Sequence, residues 1–237
     1  MKKTIFSLLL LSTAYLNANE LSVGCVVHCS KNHQRFYPYN VKNDMLLLGT
    51  QVSYQYIKPG SFYIGLFGTY LEGKIKVNDL TYLIARKEFK HRVFDTKFRV
   101  LEARVGYNFS ILDYFFILPT LGVAHRHVQS VSKGLHVPLR MGYESLYITT
   151  GISSTLKISD FVEMGLNFKR TYSMRGESYG NSREYYLTHP MHGHEISFPL
   201  KANLNAFSVK LEPFFRKDDN RSKELIMGGI LEGAFRY

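Results

Sequence analysis

Between Phe98 and Val128 apolar and polar residues take turns along the chain. Leu101, Ala103, Val105, Tyr107 and Phe109 fall on one face of an extended segment, and Glu102, Arg104, Gly106 and Asn108 fall on the other. A period of two is the signature of a strand. Ser110–Asp113 turns the chain, and a second extended run begins at Tyr114. The same rhythm recurs along the rest of the sequence. Leu46, Leu48, Thr50, Val52, Tyr54 and Tyr56 oppose Gly49, Gln51, Ser53 and Gln55, and Val162, Met164, Leu166 and Phe168 oppose Glu163, Gly165, Asn167 and Lys169. Ten strands are predicted: Glu20–Val27, Met45–Ile57, Ser61–Ile75, Asp95–Phe109, Tyr114–Val128, Leu139–Lys157, Phe161–Tyr172, Glu195–Leu204, Ala206–Arg216 and Leu225–Tyr237.

The connections alternate as strictly as the residues. Short turns fall at Lys58–Gly60, Ser110–Asp113, Ile158–Asp160 and Leu204–Ala206, where Pro, Gly, Asp and Asn supply turn chemistry. Longer polar loops fall between them, at Lys31–Asp44, Lys76–Phe94, Gln129–Val137, Ser173–His194 and Lys217–Lys223. One rim of tight turns, one rim of long loops and both chain ends on the tight rim is the plan of a bacterial outer-membrane barrel. The charges agree with it: Glu102 and Arg104 sit mid-strand on the polar face, which suits a polar lumen with lipid outside. The predicted fold class is therefore all-β, a closed antiparallel transmembrane β-barrel of ten strands in up-and-down order. Eight strands follow if Glu20–Val27 and one other run are not strands. A soluble periplasmic β-protein is the competing reading, in which the apolar faces pack on one another. Tyr54, Tyr56, Phe62, Tyr107, Phe109, Tyr114, Phe115, Phe161, Phe207, Phe235 and Tyr237 all lie close to a short turn or the C-terminus. Such a collection of rings fits a membrane interface better than a sandwich core.

On these features (the hairpin rhythm, the segment VGYNF at Val105–Phe109, and a last strand ending in an aromatic residue) the chain resembles the small outer-membrane β-barrel proteins of the OmpA/OmpX-like class in the broad sense. The resemblance implies that the barrel-assembly machinery reads the terminal strand as an assembly signal, here through Phe235 and Tyr237. Phe is the usual last residue in that class, so Tyr237 departs from the pattern.

The first eighteen residues carry Lys2 and Lys3, an apolar core at Ile5–Leu11 and Ala18 at the cut, which reads as a secretory signal peptide. Residues 1–18 are thus expected to be removed and residues 19–237 to form the barrel. The formal charge of +11 loses Lys2 and Lys3 and falls to +9. Export disfavours nucleic acid as the partner of that charge. Lipidation at Cys25 is disfavoured because Ser22 stands where an aliphatic residue is wanted. Cys25 and Cys29 are the only cysteines. An oxidising compartment favours a bridge between them, whereas a continuous strand would hold them too far apart.

The lumen charge network is expected to comprise Glu102, Arg104, Glu163, Lys169, Lys201, Lys210, Glu212, Arg216, Glu232 and Arg236, paired because a lone charge away from water is costly. Little space is expected beside those side chains, so the lumen reads as plugged, with a narrow anion-preferring pore as the alternative. Lys74, Lys76, Arg86, Lys87, Lys90 and Arg92 give the second loop region a net charge of +4 and are candidates for contact with lipopolysaccharide phosphates. His189, His192 and His194 are weak metal candidates without a completing cysteine set. His125 and His127 read as structural. Enzymes of this architecture (lipid A deacylases, palmitoyl transferases, omptin-like proteases) need a fixed catalytic group, and only His127 with Ser130 comes near one. Asp218-Asp219 reads as a loop pair. The favoured function is therefore a non-enzymatic, cofactor-free, monomeric barrel of structural or surface-interaction type, with an outer-membrane hydrolase or acyltransferase as the rival.

Overall fold

The computed structural model describes residues 19–36, 39–82, 87–132, 139–180, 185–186, 192–219 and 224–236. Its elements are β1 (Asn19–Phe36), β2 (Tyr39–Tyr56), β3 (Ser61–Tyr82), β4 (Lys87–Leu112), β5 (Phe115–Ser132), β6 (Leu139–Lys157), β7 (Val162–Gly180), β8 (Tyr185–Tyr186), β9 (His192–Ser197), β10 (Leu200–Leu204), β11 (Phe207–Asp219) and β12 (Glu224–Arg236). Each strand from β1 to β7 pairs antiparallel with the next, β12 pairs β1, and β11 pairs β12. The ring closes because β9 and β10 both pair β7 on one side and β11 on the other. Counting β9 and β10 as one stave makes ten staves, with β8 an extra strand on β7. Closure of the ten staves pairs each of them on both sides, the condition for crossing a bilayer with strands.

Two boundaries differ from expectation. The stave read as Glu195–Leu204 breaks at Phe198-Pro199, because proline has no N–H for the ladder. The Phe198 amide instead donates to the Pro213 carbonyl (3.0 Å), and the Pro199 carbonyl accepts from the Gly165 amide (2.8 Å). The second difference is length. Much of the regions read as loops Lys31–Asp44, Lys76–Phe94, Gln129–Val137, Ser173–His194 and Lys217–Lys223 is strand: β1 and β2 stay in register as far as Phe36↔Tyr39, and β3 and β4 as far as Tyr82↔Lys87. The apolar periodicity stops where lipid stops, but backbone pairing continues. At 26 residues, β4 is far longer than a bilayer needs, since about ten tilted residues suffice to span it.

The alternation maps onto inside and outside. Leu21, Val23, Leu46, Leu48, Val52, Ile64, Leu66, Leu101, Val105, Leu121, Val123, Ile152, Leu166, Leu211 and Leu231 are exposed on the outer wall. A continuous apolar coat of that kind is covered only by lipid. Phe62, Phe109, Tyr114, Phe161, Phe207 and Phe235 are exposed at its lower edge, beside the short turns. There Gly60 (φ 65°) and Asn205 (φ 57°) take the left-handed backbone that tight turns require. The Tyr107 hydroxyl donates to the Gly60 carbonyl (2.8 Å), tying ring to turn. The competing soluble packing, with apolar faces against each other, is not the arrangement found.

Candidate functional site: a charged lumen and a basic outer wall

Alternation aims the polar face of each strand into the lumen, where the side chains form stacked ion-pair groups. Nearest the short-turn rim, Glu20 accepts from Lys201 (2.5 Å) and Arg236 (3.1 Å). Asn203 donates to Glu163 beside them (3.0 Å). Above, Lys210 bridges Glu232 (2.5 Å) and Glu212 (3.1 Å). Glu232 also accepts from Ser22 and from Ser53, and Glu212 from Asn167 (3.0 Å) and Ser197 (2.5 Å). In mid-barrel Arg104 forks onto Glu102 with bonds of 2.7 and 2.8 Å. Lys169 reaches both Glu102 (3.7 Å) and Glu195 (3.1 Å). Higher still, Asp218 accepts from Arg216 (2.7 Å) and faces Arg126 (3.6 Å).

The ten side chains named from the sequence lie along this interior; Glu102, Arg104 and Lys169 touch one another, as do Lys210, Glu212 and Glu232, while Glu163, Lys201, Arg216 and Arg236 meet Asn203, Glu20 and Asp218 instead. Sequence reasoning missed Glu20, Glu195, Arg126 and Asp218. Glu20 and Asp218 had a usable signal: each continues its strand's polar parity, Glu20 with Ser22 and Gly24, Asp218 with Lys210, Glu212 and Arg216. Asp218 is therefore a buried lumen residue and not half of a loop pair. Arg126 had the same signal, sharing the parity of Thr120, Gly122 and Ala124 and opposing His125 and His127.

Ion pairs do not fill the lumen, contrary to expectation. A cavity of about 780 Å³ lies among them, lined by Pro59, Asn205 and Ala206 at the short-turn rim and by His28, Phe98 and Phe214 at its inner end. The reason is that short side chains (Ser22, Ser53, Thr120, Gly151, Ser153) share the lower lumen with the charges. At the inner end of the cavity stands an apolar septum of buried side chains. Val26, Leu47 and Leu71 are essentially fully buried there, packed with Met45, Phe98 and Ile230. His28 stands edge-on to Phe98 and Phe214, at centroid distances of 5.9 and 5.0 Å. Arg126 covers the other side, its guanidinium over Tyr147 (4.7 Å) and Phe98 (5.5 Å). Gly49 and Gly73 let β2 and β3 curl around the septum, since a Cβ on either would strike the backbone of the adjoining strand.

On the outer wall, charges begin where the apolar coat ends. Lys74 and Lys76 are exposed there, each across from a carboxylate: Lys74 from Asp95, Lys76 from Asp44. Lys97 and Arg99 extend the row, with Arg99 over the Tyr70 ring (5.7 Å) and Lys97 opposite Glu72. Lys87, Lys90 and Arg92 belong to β4, but their side chains, like Arg86 as a whole, lie outside the described residues. So do residues 1–18, read as a signal peptide, His189 and Tyr237. Phe235 is exposed on the lipid face, opposite Leu21 and Phe207.

The histidines separate. His192 stands edge-on to Tyr172 (5.4 Å) and His194 lies by Phe168 (6.1 Å), both outside the barrel. Among the described residues no three His, Cys, Asp or Glu are grouped to hold a metal. His125 bonds Glu144 (2.7 Å) on the outer wall. Ser130 is buried inside, bonded to Thr96 (2.9 Å). His127 and Ser130, three residues apart, therefore face opposite sides of one strand and cannot act together. Cys25 and Cys29 are free, correcting the bridge. Both point outward from the unbroken strand β1, roughly 13 Å apart by strand rise, beyond disulfide reach.

No family model and no curated protein matches the chain. Solved structures similar to it include the outer-membrane protease OmpT of Escherichia coli, at 10% identity and a TM-score of 0.52, covering 92% of this chain and 96% of that one. The translocator domain of the autotransporter NalP of Neisseria meningitidis aligns at 9% identity and 0.52, covering 100% and 95%. The beta domain of the Bordetella autotransporter BrkA aligns at 9% and 0.51, covering 92% and 99%. The chain has the fold of bacterial outer-membrane β-barrels.

Proposed function

We propose that the protein is an outer-membrane barrel of surface-interaction type, closed to ions, whose outer wall engages lipopolysaccharide and whose upper strands face the exterior. The observation that supports this most is the contrast between the two surfaces of the wall. Inside, charges are consumed by one another beneath an apolar septum. Outside, cations gather where the coat of Leu, Val and Phe gives way to polar residues, at the height of lipid phosphates. Retention of lipopolysaccharide through detergent extraction tests the reading. Purified protein is expected to carry it at a fixed ratio, and to lose it as salt rises because the contacts are exposed charges. Protein that exchanges all of it for detergent at low salt would count against the proposal.

A second reading, a hydrolase acting on lipid A, is favoured by one observation, the His125–Glu144 pair on the outer wall. It ranks behind because the cross-strand neighbours of His125 are Leu101 and Leu146, which offer no nucleophile. Mass spectra of lipid A incubated with the protein decide it: an acyl chain lost with the parent protein and kept with His125→Ala would replace the first reading.

A further inference from the structure

One rung at the inner end of the cavity carries a group that can take up a proton. Phe214, Gly228, His28, Leu47 and Gly73 stand in register across β11, β12, β1, β2 and β3, and alternation turns all of them inward. Gly228 makes room for its neighbour, since a Cβ there would lie 2.3 Å from Phe214 Cζ. The Phe214 ring thus packs edge-on against His28, as does Phe98 of β4. His28 is half-buried and lines the cavity. It is a titratable ring set into the apolar septum, on the side that borders the charged lumen. The other described histidines do not share this place: His125, His127, His192 and His194 face outward.

The charges around His28 come from the surrounding staves. Arg126 on β5, Lys169 on β7 and Asp218 on β11 act on it most directly. Arg216 on β11, Glu195 on β9, and Glu102 with Arg104 on β4 stand next to these. Tyr147 on β6 lies under the Arg126 guanidinium, while β2, β3 and β12 present Leu47, Leu71 and Ile230. Each carboxylate in this set already holds a cation. Asp218 pairs with Arg216 (2.7 Å) and Arg126 (3.6 Å), Glu102 with Arg104 and Lys169, and Glu195 with Lys169 (3.1 Å). A proton on His28 therefore adds a cation beside Arg126 and Lys169 where the nearby acids are engaged.

We propose that protonation of His28 opens the septum, giving the barrel an acid-activated passage for small anions. The proposal rests on the reading of the barrel as closed to ions at neutral pH. The neutral imidazole packs against two aromatic rings with no charge to hydrate. The imidazolium carries a charge and two N–H donors, which are costly to hold among apolar side chains and draw water in. An apolar constriction passes ions once it is wetted, and histidine is the side chain whose charge changes near physiological pH. Anions are the permeant species because the imidazolium joins Arg126, Lys169 and Arg216 at this level.

The test records the full-length barrel in planar bilayers from neutral pH down to about pH 4, well below the ordinary histidine value of about 6.5. The variants are His28→Phe, which cannot titrate, and His28→Lys, which titrates at a higher pH than histidine. Retained heat-modifiable mobility establishes that each is folded. The parent is expected to be silent at neutral pH and to open on acidification. Its open probability should rise about tenfold per pH unit, the steepest slope a single proton can give, with a reversal potential in a salt gradient on the anion side. His28→Phe is expected to stay silent throughout, and His28→Lys to open at a higher pH than the parent. Equal acid currents in the parent and His28→Phe would move the response to the carboxylates and overturn the gate. A parent silent at every pH, or a folded His28→Lys that opens no sooner than the parent, would also overturn it and leave the closed reading standing. Cation-selective acid currents would overturn the assignment of the permeant ion. A parent that already conducts at neutral pH overturns the closed reading, and the gate with it.

Discussion

Glu102 is one carboxylate serving two cations, Arg104 by a fork and Lys169 from across the lumen. Removing a shared partner leaves charge buried without compensation, which costs about 3–5 kcal/mol. Glu102→Ala is therefore expected to lower the temperature at which the folded form converts to the unfolded one on electrophoresis. Exposed Glu144→Ala, which breaks the surface pair with His125, is expected to leave it nearly unchanged. An equal shift for the two would show that the interior pairs are as weak as surface ones. The thiols give a second check. Both should react with a maleimide after unfolding without prior reduction, whereas reaction only after reduction would restore the bridge. Which side chains enter the lumen was legible at this scale, because parity in a strand is absolute: Glu163, Lys169, Lys201 and Lys210 could point nowhere else. What each would touch was not legible. Glu102 meets Lys169 across the barrel, and no local spacing encodes a partner 67 positions away. The cysteine bridge failed for the opposite reason: the compartment argued for it, and the geometry of an unbroken strand decided against it.

Strands were legible wherever lipid enforced the pattern, and illegible where it did not. Leu46–Tyr56 alternates cleanly because one face meets acyl chains and the other the lumen. Val41, Lys42, Asn43 and Asp44 show no such contrast, yet they continue β2 in register with β1 and, across a one-residue bulge between Lys42 and Asn43, paired with β3. Above the membrane both faces meet polar surroundings, so backbone pairing alone maintains the strand and the composition resembles a loop. Hydrogen exchange separates the two descriptions. Amides of Asn40–Asp44 and Leu80–Tyr82 are expected to exchange far more slowly than an open loop would, by virtue of paired ladders. Exchange there at free-peptide rates would return these segments to loops. Pro199 is the converse case: its presence in the sequence already argued against an unbroken ladder through Glu195–Leu204, and the weight given to alternation hid it.

Across the whole molecule the lumen is lined by ion pairs around a cavity below and by apolar side chains above, and the two levels meet a permeating ion with different physics. Ion pairs such as Glu20 with Lys201 and Arg236 line a cavity of about 780 Å³ that reaches Pro59, Asn205 and Ala206 near the short turns. Charged walls do not stop ions; they attract them. The septum of Val26, Leu47, Leu71 and Phe98, with His28 against Phe98 and Phe214, offers a permeating ion no replacement for its hydration shell. A constriction of that kind blocks by excluding water. Closure is thus expected to fail at the septum and to survive changes in the charge groups beneath it. In planar bilayers at neutral pH the parent barrel is expected to be silent. Phe98→Ala combined with Phe214→Ala removes both rings that flank His28 and should give discrete conductance steps. Lys210→Met combined with Glu232→Leu, which replaces one ion pair by apolar side chains, should remain silent because the septum is intact. Conductance from the second variant and silence from the first would transfer closure from the rings to the charges. Conductance from the parent would remove the septum's role and bring back the anion-preferring pore, whose preference should then follow Lys169, Arg216 and Arg126 around the narrowest level.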